Sequence, residues 1–359
     1  MNPFALFRLV KRSGYKFIFW EIYWTIRFIS PKKLINFIRI FYQDKYTKPQ
    51  HVTGFPVKLT IDLTGNCLLH CPLCPTGQGD KSRSRGEMAP ENFYRLIDEI
   101  SGYLFEVDLF NWGEPFLNKN VFNFVRYGHR KNIKTRISSN LNFFPEGYEQ
   151  EIVKSKLHHL VVSLDGITQE SYGQYRVGGS IELVKSAVRR IRAEKIKKRS
   201  LFPFITWQFI IMRQNEQEVE EARRLANPWG FDRIVFQKAR TDMGLDLFET
   251  DREKTEKYSG WIPKESSETN YNLKDKSRKW RPPTCHFLWN QSVVNWNGSV
   301  SPCCLYYDEK YDFGNAFQND FMKVWNNKKY AEARRLVKEG NSSDKELICW
   351  NCLKNGFPE

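Results

Sequence analysis

Asn66-Cys67-Leu68-Leu69-His70-Cys71-Pro72-Leu73-Cys74-Pro75 decides how the rest of this chain is read. Its cysteines stand at Cys-x3-Cys-x2-Cys spacing, directly behind an apolar run at 57–63 that predicts a strand. A tight loop with those gaps can aim three thiolates at one place. A structural zinc site would want a fourth ligand. The nearest candidate, His70, lies inside the x3 gap, where joint ligation is awkward.

Outward from this loop the pattern is regular. Apolar runs predict strands over 57–63, 106–111, 134–139, 159–164, 204–212 and 233–237. Between them the sequence predicts helices over 90–103, 120–131, 146–155, 181–196 and 216–226. Strands and helices in alternation imply an α/β fold with a parallel sheet, closed or partly closed. Active residues then belong at strand C-terminal ends. Residues 241–284 are polar and irregular, a linker or substrate loop. Residues 285–359 carry the remaining cysteines, with a hairpin around Asn297-Gly298 and a helix over 320–338.

Three thiolates are what a [4Fe–4S] cluster needs if one iron stays open, whereas a closed cluster takes four. A Cys-x3-Cys-x2-Cys loop after the first strand of a βα barrel resembles the radical SAM superfamily. Three more elements carry the resemblance. Asn111-Trp112-Gly113-Glu114-Pro115 closes the second strand and resembles the family's GGEP element, with Trp in place of the first Gly. Ser138-Ser139-Asn140 ends the third, and Ser163-Leu164-Asp165-Gly166 ends the fourth, followed by Arg176. Each has a plain alternative as a turn or helix-start residue. Their order at successive strand ends is what carries weight.

The resemblance implies a partial (β/α)6 TIM-like barrel over 51–240. It implies that Cys67, Cys71 and Cys74 hold a [4Fe–4S] cluster that binds S-adenosylmethionine (SAM). Gly113, Glu114, Ser139, Asn140, Ser163, Asp165 and Arg176 are its expected SAM contacts, the Arg as a guanidinium fork for the SAM carboxylate. The implied chemistry is reductive cleavage of SAM to a 5′-deoxyadenosyl radical that abstracts hydrogen from an unactivated carbon. A reducing partner, flavodoxin- or ferredoxin-like, is implied with it.

The second set begins Cys285-x12-Gly298-x4-Cys303 and ends Cys349-Trp350-Asn351-Cys352. With Gly314-Asn315, Val324-Trp325, Tyr330 and Arg334 between, it resembles the SPASM region, in a shortened "twitch" form with one auxiliary cluster. Cys285, Cys303, Cys349 and Cys352 are the implied ligands of an auxiliary [4Fe–4S] cluster. Cys304 is left over and reads as core. On its residues alone this set is equally a zinc ribbon; behind a radical SAM barrel the iron–sulfur reading prevails. A closed second cluster suits electron transfer, hence a two-electron oxidation or an oxidative coupling. The alternative is C–C or C–S bond formation on a membrane-associated lipid, polyprenyl-linked glycan or peptide precursor.

Composition sets the outer bounds. The chain has 359 residues and a net charge of +15, and 41% of it is hydrophobic. That excludes a mostly disordered chain, and no repeat suggests collagen, coiled coil or solenoid. Eight cysteines in tight groups suggest metal ligation in a reducing cytosol rather than disulfides. Residues 1–50 form a basic helical extension. Within 1–46 there are nine Lys/Arg and thirteen aromatic residues against two acids, Glu21 and Asp44. The apolar run at 17–29 is too short and too charged to span a bilayer, and no signal-cleavage site follows. Two readings stand: an interfacial helix pair at the cytoplasmic face of a membrane, or a cap on the chain's own domain. The non-enzyme rival is a zinc-containing basic binding protein. No nucleic-acid-binding module is recognisable, and no nucleic acid is expected.

Overall fold

The computed structural model describes residues 15–240, 258–272, 274, 279, 285–340 and 347–355. Parts of the expected extension (1–14) and linker (241–257) lie outside the described residues. Two helices come first, α1 (Tyr15–Phe28) and α2 (Pro31–Tyr42). Six strands follow: β1 (Lys58–Ile61), β2 (Glu106–Asp108), β3 (Lys134–Ser139), β4 (His159–Ser163), β5 (Phe204–Ile211) and β6 (Arg233–Lys238). The helices between them are α3 (Pro90–Ile100), α4 (Val121–Arg130), α5 (Tyr148–Lys154), α6 (Gln169–Tyr175), α7 (Ile181–Lys197) and α8 (Val219–Leu225). Each strand from β1 to β6 is parallel to the next, in sequence order.

The sheet does not close. The C-terminal region starts with a short helix, α9 (Phe287–Asn290), and then β7 (Gln291–Val294), which pairs in parallel with β1, Lys58 opposite Gln291. The antiparallel strands β8 (Ser299–Ser301) and β9 (Gly314–Asn315) complete nine strands. The hairpin around Gly298 (φ +84°) is present as expected, but it extends the main sheet. An unpaired β1 edge would leave a row of backbone groups without partners. Val57 N and Asp62 N continue the β1–β7 ladder, donating to Asn290 O and Val294 O at 2.9 Å. The helix expected over 320–338 breaks in two, α10 (Phe321–Trp325) and α11 (Lys328–Glu339). Asn327 breaks it, its side chain accepting from Tyr330 N as an N-cap. The chain ends on α12 (Cys349–Asn355).

Strand alternation gives the sheet two unlike faces. Leu59, Ile61, Val107, Ile137, Leu160, Val162 and Ile205 turn to the helices and are fully buried with Phe93, Phe124 and Val188. The opposite residues line a polar inner face. There Lys58 bridges Glu106 (2.8 Å) and Asp108 (3.0 Å), and Arg136 also pairs with Asp108. Burial alone would raise the Glu106 carboxyl, but Lys58 and Arg136 outweigh it and hold it well below the ordinary range.

Candidate active site

The Cys67 loop leaves the C-terminal end of β1. Thr64 Oγ1 starts it, donating to Gly86 O (3.0 Å) and accepting from Asn66 N (3.2 Å). Cys74 N donates to Cys71 O (3.1 Å), and Gln78 Nε2 to Pro72 O (2.7 Å), so the loop folds tightly on itself. The three cysteines share one apolar pocket with Leu69, Leu73, Met212 and Tyr258. His70 is exposed outside it.

The Asn111–Pro115 element locks onto this loop. Glu114 N donates to Asn66 O at 2.7 Å. A Cβ on Gly113 would meet Thr64 O at 1.8 Å, so only glycine fits. Glu114 is buried, and both its oxygens organise the end of β3. Oε1 accepts from Ser139 Oγ (2.7 Å), and Oε2 from Asn140 N (2.9 Å). Burial pushes its carboxyl up to about 7 against those hydrogen bonds. Asn140 Nδ2 in turn reaches Cys67 Sγ at 3.6 Å.

Arg176 pairs with Asp165 at 2.6 Å, and its Nη1 reaches Cys71 Sγ at 3.7 Å. Asp165 Oδ1 also accepts from Ile210 N. Ser163 sits one strand over, 3.5 Å from Ser138 Oγ. Six of the seven expected SAM contacts thus join the cysteine loop directly or through one partner. Ser163 stands apart. Asp165 already partners Arg176, so a ligand carboxylate would share the fork.

Sequence reasoning missed three residues here. Asp62, on the inner face at the top of β1, is buried, and its Oδ1 has no partner. Burial raises it to about 7 against hydrogen bonds from Trp112, Gly113 and Thr64. Its signal was the polar alternation Lys58, Thr60, Asp62 within an apolar run. Arg83 is buried and clamps Asp312 through both guanidinium amines, at 2.8 and 2.9 Å. Trp112 stands edge-on to Tyr307 at 5.3 Å. Arg83 and Trp112 tie the first cysteine loop to the C-terminal region.

In that region Cys285, Cys303, Cys349 and Cys352 lie close enough to raise one another's pKa on top of burial, which lifts Cys285 to about 11. Tyr306 Oη lies 3.1 Å from Cys352 Sγ. Cys304 stands beside Cys303 and also within electrostatic reach of Arg240, Asp108 and Lys58. In the first set burial lifts Cys67 to about 12. Thiols buried in one another's company keep their protons until a metal group displaces them, so both donor sets fit iron–sulfur clusters. Among the described residues no three His, Cys, Asp or Glu gather tightly enough for a single metal ion.

Comparison with known proteins agrees. The model of the radical SAM superfamily matches residues 61–226, and that of the SPASM iron–sulfur cluster-binding domain matches 285–353. Together they cover about two thirds of the chain. This chain belongs to the radical SAM superfamily, as an enzyme with a C-terminal SPASM domain. Membership brings its cofactors: SAM, the [4Fe–4S] cluster that binds it, and auxiliary iron–sulfur in the SPASM part.

Its relatives include the AdoMet-dependent heme synthase of Methanosarcina barkeri, 23% identical, with 62% of each chain covered. The PqqA peptide cyclase of Gluconobacter oxydans is 23% identical over 69% of this chain and 70% of its own. The mycofactocin maturase of Mycobacterium tuberculosis is 25% identical over 58% and 52%. The chain thus spans between half and about two thirds of most of these relatives. Among solved structures, SuiB of Streptococcus suis bound to S-adenosylmethionine covers 87% of this chain and 73% of its own, at TM-score 0.59 and 16% identity. That likeness is one of fold. No helix among the described residues is long and apolar enough to cross a membrane.

Proposed function

We propose that this chain catalyses a two-electron oxidation, a dehydrogenation or an oxidative coupling, started by hydrogen abstraction from an unactivated carbon. Cys67, Cys71 and Cys74 hold the SAM-binding cluster; Cys285, Cys303, Cys349 and Cys352 hold one auxiliary cluster. When bound, the first cluster and SAM together supply the radical that removes hydrogen. The chain's own residues position and shield. Gly113 lets the β2 end approach the cysteine loop, Glu114 fixes Ser139 and Asn140, and Arg176 stands between Cys71 and Asp165. Leu69, Leu73, Met212 and Tyr258 keep water from the thiols.

The observation that carries this reading is one hydrogen-bonded unit. Glu114, Asn140 and Arg176, from the ends of β2, β3 and the segment after β4, reach Asn66, Cys67 and Cys71 in the loop after β1. The four further cysteines, with no open position, support an electron acceptor for the oxidation. A low-potential flavodoxin- or ferredoxin-like protein is the donor for SAM cleavage. A second reading, C–C or C–S bond formation on a peptide precursor, is favoured by the likeness to a peptide cyclase and a maturase.

Anaerobic reconstitution tests the assignment. The parent should hold about eight irons, the sum of two [4Fe–4S] clusters, and form 5′-deoxyadenosine from SAM with a strong reductant. Cys71→Ala should abolish that product and keep about half the iron. Cys349→Ala should lose the other half yet still cleave SAM. Zinc in place of iron, or a parent that leaves SAM intact, sinks the proposal.

A further inference from the structure

The two N-terminal helices seal one end of the strands and leave their outer face bare. Along α1 one stripe points inward: Phe17 packs tilted on His159 and edge-on to Phe204, and Trp20 and Trp24 pack on His158 and Phe202. Residues 134, 159, 204 and 233, met by this stripe, are the first residues of β3, β4, β5 and β6. Helix α2 sits at the same end. Lys33 Nζ donates to Asn132 O just before β3, and Asn36 is bonded to the backbone of Phe55. The cap reading of these helices therefore holds for their inner side.

Their outer side is unlike the rest of the protein. Of eighteen exposed large apolar side chains among the described residues, thirteen lie between Tyr15 and Tyr46. Phe19, Ile22 and Ile26 form a stripe on α1, and Ile35, Ile38 and Phe41 one on α2. Phe19 is 69% exposed and Ile26 68%, values for side chains that nothing among the described residues covers. Lys16, Arg27, Lys32, Arg39 and Lys45 are exposed among them. The two acids of the segment are withdrawn. Glu21 pairs inward with Lys134 at 2.6 Å, and Asp44 is buried against His286 and Asn290 at 2.9–3.0 Å. What remains outside is apolar and cationic.

We propose that the outer face of α1 and α2 docks on an anionic lipid bilayer. Rings and aliphatic chains enter the acyl boundary, and the cations meet headgroups. A second copy of this chain fits the face poorly. A two-fold contact would set its cations against their own images, with no exposed acid on the helices to answer them. The orientation follows from the strands. The docking face lies at their N-terminal ends and the Cys67 loop at their C-terminal ends, about 20 Å away along a six-residue strand. The active site therefore faces away from the bilayer, so docking places the enzyme at the membrane without requiring a lipid substrate.

Vesicle co-sedimentation of the full chain, without SAM or reductant, tests docking apart from chemistry. The protein should bind phosphatidylcholine vesicles containing phosphatidylglycerol, bind pure phosphatidylcholine far less, and be released by salt. Removing one exposed cation, as in Lys16→Gln, should weaken binding roughly fivefold. Ile26→Ser with Ile38→Ser should weaken it by more, with far-UV circular dichroism and iron content unchanged. A parent that ignores anionic vesicles overturns the proposal. So does a dimer in analytical ultracentrifugation that the same two Ser substitutions dissociate.

Discussion

At the C-terminal ends of β1 to β4, backbone approaches backbone. Gly113 sits against Thr64 O with no room for a methyl group, Glu114 holds the turn of β3, and Asn140 and Arg176 point at sulfur. At the N-terminal ends of β3 to β6, contact is between large rings. Phe17, Trp20, Trp24 and Phe28 from α1 fill the floor, Phe17 against His159 and Phe204 and the others against His129, His158 and Phe202. One end positions polar atoms to tenths of an ångström. The other excludes water with bulk. Substitutions at the mouth should therefore cost far more than ones of equal size at the floor.

Gly113→Ala should have the largest effect. Its Cβ would fall inside the contact distance of Thr64 O and 2.9 Å from Asn66 O, so loop and strand end must separate. We expect a loss of about 3 kcal/mol or more in denaturant titration, at the top of the overpacking range, with SAM cleavage gone. Gly260→Ala is the control, since nothing lies within 4 Å of its new carbon; it should change stability by less than about 0.5 kcal/mol. Equal stability for the two variants would show that the β2 end does not press tightly on the cysteine loop.

Glu114→Gln is next. An amide offers one accepting oxygen where the carboxylate offers two, so either Ser139 Oγ or Asn140 N loses its acceptor. That should cost about 1–3 kcal/mol and weaken SAM binding by ten- to a hundred-fold. It also predicts a pH signature. The parent carboxyl, raised to about 7, protonates as pH falls through that value, so SAM affinity should drop there. In the Gln variant the drop should be absent. A parent whose SAM affinity is flat from pH 6 to 8 would show that Glu114 does not titrate in that range.

How much of this was readable beforehand follows the same division. The mouth was legible because its parts are short motifs of fixed spacing: the cysteine loop, Gly113-Glu114, Asn140, Asp165 and Arg176. The strands between were legible from their apolar runs, and β3 needed no change at either end. Contacts between distant segments were not. The pairing of β7 with β1 joins residues 58 and 291 and leaves no local trace. The Arg83–Asp312 clamp is likewise two ordinary charges until the fold brings them together. The break at Asn327 was available in principle, since Asn is a strong N-cap, but it lay hidden inside an amphipathic run. For the first two helices only composition was legible, and only packing could tell which side of α1 faces in.

The floor has its own, milder sensitivity, and it is to acid. His158 is buried among Trp20, Trp24 and Phe202, and neither ring nitrogen has a partner. Burial, then the charges of Lys134 and His129, lower its pKa to about 3, with Glu106 pulling weakly the other way. Burial and Lys156 lower His129 to about 4. A histidine in the unfolded chain takes its proton near 6.5. Between about 4 and 6.5 the unfolded chain therefore binds protons that the folded chain refuses, and stability rises with pH across that window. Acidification from pH 7 to 5 should loosen α1, red-shifting tryptophan emission. At neutral pH both rings are uncharged, so His158→Phe should change stability by less than about 1 kcal/mol. It should also flatten the slope below pH 6.5. An unchanged acid slope in His158→Phe would place the acid sensitivity elsewhere, with His129 and His159, both lowered by burial, as the next groups to replace.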